Sequence, residues 1–306
     1  MKANWIGVYP ALTTKFTADG ALDLPAFRTH LAAQLAAGVD GLIIAGSLGE
    51  ASTLTFDERL ILLEVALEVA SDRVPVVVNI AERATRAATE LARAAEQGGA
   101  GGLMVLPPMQ YKATDQEVVD YFSEVASATG LPVMIYNNPV DYKVEVTLDM
   151  FDRLLPLPNI TAVKESTRDV SNVTRIINRF GPDRLKILCG VDTLAMESLL
   201  MGAHGWVAGL VNAFPAETVA IHRLLSAGEV EAARRIYRWF LPLLELDIDP
   251  QLVQNIKLAE VMTGLGTEFV RPPRQVLCGA ARERVLQVLG NALRDRPSLP
   301  DVPSRP

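Results

Sequence analysis

The sequence is short of the residues that mark secreted, metal-binding and membrane-spanning proteins. Only two cysteines, Cys189 and Cys278, occur in 306 residues, whereas a disulfide-stapled secreted domain carries more, at closer spacing. Cys189 sits in the apolar run 185–189 and reads as a buried small hydrophobe. The three histidines, His30, His204 and His222, are scattered and no Cys/His cluster occurs, so no metal site is expected. No uninterrupted apolar stretch approaches the ~20 residues of a membrane span. The first residues show no basic segment followed by a long apolar one, so no signal peptide is expected and a cytoplasmic location follows. Positive charge is in deficit, with 29 Lys and Arg against 36 Asp and Glu and a net charge of −7. An acidic surface disfavours nucleic acid and anionic membrane as partners.

Apolar residues, by contrast, make up 49% of the chain, and they recur in a regular order. Eight short runs, at 6–12, 41–45, 75–80, 102–106, 132–136, 160–164, 185–189 and 205–209, read as near-continuous hydrophobic strands. That is the pattern of parallel strands buried on both faces. Between them lie stretches of helical periodicity at 27–37, 56–70, 85–97, 115–128, 148–155, 170–180 and 193–201. Thr55 with Glu58, and Thr114 with Glu117, fit capping boxes at two helix starts. Gly38, Gly98 and Gly130 follow helices, where a positive φ is cheapest in glycine. No GxGxxG turn follows the first run, so a dinucleotide-binding open sheet is disfavoured. The expected fold is a (β/α)8 TIM barrel over 1–227, followed by a C-terminal helical extension over 228–296 and a disordered tail over 297–306.

In such a barrel the working residues stand at the C-terminal ends of strands. Lys164 ends the sixth run, in Ile160-Thr-Ala-Val-Lys-Glu-Ser166. Desolvation there lowers an ammonium pKa and frees the amine as a nucleophile, although a lysine at a strand end is more often a solvated loop charge. Tyr136 ends the fifth run, in Val133-Met-Ile-Tyr-Asn-Asn-Pro139. Neighbouring strands point both at one mouth, where a phenol can move protons; alone, it is equally an ordinary strand-end aromatic. Gly46-Ser47-Leu48-Gly49-Glu50 follows the second run and reads as a tight turn whose free amides can hold a carboxylate. Ser47 is placed to hydrogen-bond the tyrosine, and Glu50 to tie down the loop.

Together these motifs resemble those of the dihydrodipicolinate synthase/N-acetylneuraminate lyase family of class I aldolases. The resemblance covers nearly the whole chain, including Gly190-Val-Asp192 and Gly205-Trp-Val-Ala-Gly209. It implies that Lys164 forms a Schiff base, that Tyr136 relays protons, and that Ser47 and Leu48 hold the substrate carboxylate. It also implies a homotetramer, a dimer of dimers, with no cofactor or metal, acting on a small 2-oxo acid or cyclic imine.

The departures from the family pattern bear on substrate. Asp141 stands where the synthases carry an arginine for a distal carboxylate, and it would repel that group. Gln110, with Tyr111 beside it, replaces the tyrosine that the synthases borrow from a neighbouring subunit. Leu48 removes a hydroxyl, and Gly209 replaces a serine typical of the neuraminate lyases. The segments around Tyr136, Asp192 and Gly209 are most similar to a narrower group, the 1-pyrroline-4-hydroxy-2-carboxylate deaminases. Leu48, Met109, Gly209 and Leu210 are expected to form a compact, apolar pocket, with Asp141, Asp192 or Gln110 addressing the substrate hydroxyl. Asp192 equally reads as a loop brace. Alternative readings are an aldolase or dehydratase of 2-oxo-3-deoxy sugar acids, the dihydrodipicolinate synthase itself, and a 2-oxo acid-binding regulatory protein.

Overall fold

In the computed structural model, which describes residues 1–109 and 111–300, eight parallel strands form one sheet. They are β1 (Gly7–Pro10), β2 (Leu42–Ile44), β3 (Val76–Ile80), β4 (Gly102–Val105), β5 (Val133–Asn137), β6 (Ile160–Glu165), β7 (Lys186–Cys189) and β8 (Gly205–Ala208). Each falls inside, or within one residue of, a run read from the sequence. Nearly every strand residue is buried, because strands walled by helices outside and by side chains inside meet no water on either face. Consecutive strands pair from β2 to β8, and β8 pairs with β1. A single bridge, Ala11 with Ile43, closes the ring between β1 and β2. The fold is the expected TIM barrel.

The helices are α1 (Leu24–Ala36), α2 (Phe56–Ala70), α3 (Thr85–Gln97), α4 (Asp115–Ser127), α5 (Pro139–Tyr142), α6 (Leu148–Leu154), α7 (Ser171–Phe180), α8 (Ala195–Leu200) and α9 (Pro215–Ser226). Both capping boxes form: Thr55 Oγ1 accepts from the Glu58 amide at 3.2 Å, and Thr114 Oγ1 from the Glu117 amide at 3.3 Å. The short α5 has no counterpart in the periodicity reading, since four residues are too few to show a period. The glycine reading needs one correction. Gly38 does take a positive φ, but after α3 that conformation falls on Gly99, not Gly98, and Gly130 is not in it.

Beyond α9 come α10 (Val230–Leu244), α11 (Leu252–Thr263) and α12 (Gly279–Arg294), with a 3-10 turn at Glu245–Asp247. Phe240 of α10 meets Phe214 edge-on, with ring centroids 5.6 Å apart. This packing swings the 245–252 segment over the C-terminal mouth of the barrel. Among the described residues, no helix is long and apolar enough to cross a membrane.

Candidate active site

At that mouth lies a cavity of about 100 Å³, small beside the roughly 300–1,000 Å³ of sites for drug-sized ligands. Lys164, Tyr136, Ser47, Leu48, Asp141 and Gly209 line it, so six of the eight residues singled out from the sequence converge there. Gln110 lies outside the described residues. Asp192 does not line the cavity. Its carboxylate accepts from Trp206 Nε1 at 2.8 Å and from the Gly209 and Leu210 amides at 3.1 and 2.8 Å. Those donors occupy it fully, so its loop-brace reading is the one the geometry favours. Met109 and Leu210 also miss the cavity: Leu210 is fully buried beneath it, and Met109 faces a separate surface groove with Tyr111. Met104, Val191 and Val207 supply the apolar wall instead.

Strand register brings the lysine and tyrosine together. Val133 of β5 pairs with Ile160 of β6, but the register then shifts by one, so Met134 meets Ala162 and Tyr136 meets Lys164. Without that shift Tyr136 would face Val163 and its inward neighbour would be lost. Lys164 Nζ lies 4.0 Å from the centre of the Tyr136 ring. Its side chain needs the space beside Gly190, where an added Cβ would stand 2.6 Å from Lys164 Cε and 2.1 Å from Ser166 Oγ. Lys164 is only 6% exposed and makes no ion pair among the described residues. Burial lowers its pKa, and the nearby Tyr142 and Asp247 offset this only in part. Burial also pushes the Tyr136 phenol up to about 12, and Asn138 Nδ2 donates to it at 3.3 Å. Ser166 Oγ makes no aligned hydrogen bond.

The turn after β2 is held in a strained shape. Ala45 and Glu50 both take left-handed φ, 54° and 57°, which non-glycine residues rarely adopt. Among the described residues, the Ser47 and Leu48 amides donate to no acceptor, as the sequence reading of an anion-holding turn requires. Glu50 is buried beneath the turn. It accepts from Lys257 Nζ at 2.6 Å and from the Arg271 amide at 3.0 Å, so it does tie the loop down. Ser47 Oγ, however, hydrogen-bonds Tyr142, not Tyr136, at 2.5 Å.

Three ionisable cavity residues escaped the sequence reading. Tyr142 was overlooked although it lies six residues after Tyr136. Arg168 takes a left-handed φ of 64° in the loop after β6, with Nη2 3.7 Å from Asp141 Oδ1. Asp247 comes from the C-terminal extension. An added Cβ on Gly209 would meet Asp247 Oδ1 at 2.2 Å, so glycine there makes room for this carboxyl. Burial, and then the charge of Asp192, raise the Asp247 pKa well above the ordinary carboxylate range. Among the described residues no group of three or more Cys, His, Asp or Glu is arranged to hold a metal ion.

This arrangement can form a covalent adduct: a desolvated amine, a phenol at its side, and free amides for an anion in one small chamber. Comparison with known proteins places it. The profile of the dihydrodipicolinate synthetase family matches residues 4–292. The chain is 34% identical to the 4-hydroxy-tetrahydrodipicolinate synthase of Exiguobacterium sibiricum, over 90% of this chain and 94% of that one. Among solved structures, it is similar to YagE from E. coli K12, a prophage protein of the dihydrodipicolinic acid synthase family in complex with pyruvate. The TM-score is 0.89 at 30% identity, covering 95% of this chain and 99% of that one. It is also similar to a monomeric dihydrodipicolinate synthase variant, with a TM-score of 0.88 at 26% identity and coverage of 95% and 96%. The chain belongs to the dihydrodipicolinate synthetase family and is an enzyme of its Schiff-base-forming, class I lyase kind.

Proposed function

We propose that Lys164 takes a small 2-oxo acid, or its cyclic imine, as a Schiff base, and that the substrate is 1-pyrroline-4-hydroxy-2-carboxylate. The observation that carries the choice is Asp247, a carboxyl group without a cationic hydrogen-bond partner, in the same small cavity as the amine. Expelling a hydroxyl group needs an acid to protonate it, and a carboxyl whose pKa is raised by burial is suited to that task. The substrate carboxylate is held by the Ser47 and Leu48 amides. Lys164 attacks C2, and the ring nitrogen leaves as an amine on C5. The iminium acidifies C3, and water takes that proton. The 4-hydroxyl departs as water with the proton of Asp247. Hydrolysis at the lysine and at C5 then releases 2-oxoglutarate semialdehyde and ammonia, with one water consumed overall.

The second reading is the synthase reaction, condensation of pyruvate with aspartate semialdehyde. The names of similar proteins favour it, and so does the Arg168 guanidinium at the cavity mouth, which brings a cation beside Asp141. Supplying each substrate set to the chain, with Lys164→Ala alongside, separates the two. Ammonia and semialdehyde from the pyrroline, lost in Lys164→Ala, support the deaminase. Condensation with no turnover of the pyrroline sinks it. A homotetramer is the assembly proposed with this function, and sedimentation velocity tests it.

A further inference from the structure

The contact between Ser47 and Tyr142 is not explained by packing alone. The two hydroxyls are 2.5 Å apart, and both residues line the cavity. Tyr142 meets Tyr136 edge-on, with ring centroids 5.5 Å apart at 87°. Two features fix its position. Asn138 caps α5 by accepting the Asp141 amide at 3.1 Å, and Pro139 starts that helix, so the next turn of chain delivers Tyr142 back over the mouth. Ser47 reaches it from the strained turn on the opposite wall.

The amine of Lys164 rests over the face of the Tyr136 ring, and a ring face carries no exchangeable proton. Tyr142, in contrast, lines the same small cavity as that amine and brings its hydroxyl to Ser47 there. It also lines the surface groove that holds Tyr111 and Lys112, so the residue stands between the cavity and the outside. A pair of hydroxyls in direct contact, at the boundary between the amine's cavity and an open groove, is a path along which a proton can hop.

We propose that Tyr142 and Ser47 form a proton relay between the adduct on Lys164 and solvent, and that a single chain supplies it whole. The inference rests on the reading that Lys164 forms a Schiff base. When the amine adds to C2 of a 2-oxo acid, the new hydroxyl takes a proton from the relay and leaves as water, and the relay regains a proton from solvent. When the iminium loses a C3 proton to give the enamine, the same path carries that proton out. The tyrosine that relatives of this family borrow from a neighbour is then not needed. Tyr111, next to that position, is 58% exposed and donates to Glu117 at 3.1 Å on the surface.

Pyruvate in deuterated water provides the test, because exchange of its methyl protons needs the Schiff base and proton transfer but no second substrate. The proton signal is followed by NMR, and adduct formation by borohydride trapping and intact mass. Tyr142→Phe is expected to slow exchange by about 100-fold while trapping reaches the wild-type extent, which also shows that the variant is folded. Ser47→Ala is expected to slow exchange similarly, and the Ser47→Ala/Tyr142→Phe double variant to be little worse than either single one, since all three break one path. Tyr111→Phe is expected to exchange at the wild-type rate. Wild-type exchange in Tyr142→Phe, fully multiplicative losses in the double variant, or a loss confined to Tyr111→Phe overturns the relay. Failure of the wild-type chain to trap pyruvate sinks instead the Schiff-base reading on which it rests.

Discussion

Three lysines of this barrel are buried, and they live under opposite rules. Lys15 and Lys257 sit behind the turn after β2, each 2.6 Å from a buried carboxylate, Glu260 and Glu50 respectively. Lys15 also donates to Thr13 Oγ1 at 2.5 Å. Lys164, at the barrel mouth, has the face of Tyr136 at 4.0 Å and, among the described residues, no carboxylate at ion-pair distance. Taking a charge out of water costs several kcal/mol, and a well-placed counter-ion offsets most of it. Where the counter-ion is supplied, the charge is structural: it pins α11 of the extension to the turn that presents Ser47 and Leu48. Where it is withheld, the charge is destabilised and the amine is left as a nucleophile. The same residue type thus serves as rivet or reagent according to what faces it.

That contrast can be broken experimentally. The largest effect is expected at Lys164→Ala, with turnover and borohydride-trapped adduct lost by about 10⁴-fold or more, the scale on which loss of a covalent nucleophile is felt. Its urea midpoint should be no lower than that of wild type, because an uncompensated buried charge has been removed; a clear drop would show that Lys164 is structural after all. Lys257→Met should do the reverse. It leaves buried Glu50 with only the Arg274 guanidinium, 3.9 Å away, so unfolding free energy should fall by about 3 kcal/mol, the low end for a broken buried pair, with part recovered in Glu50→Gln/Lys257→Met.

Acid should weaken the riveted side first. His30 lies beside Lys15 and Glu260, and burial depresses its pKa from 6.5 to about 4. The unfolded chain therefore binds the proton at higher pH than the folded one. Stability is complete above about pH 6.5 and declines as pH falls toward 4, by about 3 kcal/mol at about 1.4 kcal/mol per pKa unit. His222, also depressed to about 4 by burial, adds a like slope, so His30→Gln in a urea series across that window should remove about half of it, and an unchanged slope would remove His30 from the account. The smallest effect is expected at Arg168→Gly. Relief of a left-handed backbone, worth roughly 1–2 kcal/mol, exceeds an exposed ion pair worth at most about 1 kcal/mol. The variant should gain up to about 1 kcal/mol, read from its urea midpoint, and a loss would mean that the Asp141 contact outweighs the strain.

The riveted and reactive sides were not equally legible in the sequence. Strands buried on both faces announce themselves as short apolar runs, so all eight were visible, and with them the positions of Lys164 and Tyr136 at strand ends. Helix starts were visible where side-chain chemistry is local, as at Thr55 and Thr114. Asp247 was not visible, because it reaches the cavity only through the packing of α10 on α9, some eighty residues along the chain from Lys164. Tyr142 and Arg168 are nearer, but their placement depends on a four-residue helix and a left-handed φ that carry no periodic signal. Met109 and Leu210 were misplaced for a related reason: in a loop, a shift of one residue exchanges the cavity for a neighbouring groove, as at Met109, or for the core, as at Leu210. The pairs Lys15–Glu260 and Lys257–Glu50 join residues more than two hundred positions apart, which no local pattern reports.

The closure of the ring has a further consequence. β1 and β2 are stitched by one bridge, Ala11 with Ile43, and by the Asp40 amide donating to Val8 O at 2.8 Å, and the chain enters the turn holding Ser47 and Leu48 just past that stitch, at Ala45. The cylinder is therefore fastened most lightly at the wall where a carboxylate would dock. The carboxylate proposed to bind the Ser47 and Leu48 amides would therefore sit directly against the seam of the hoop.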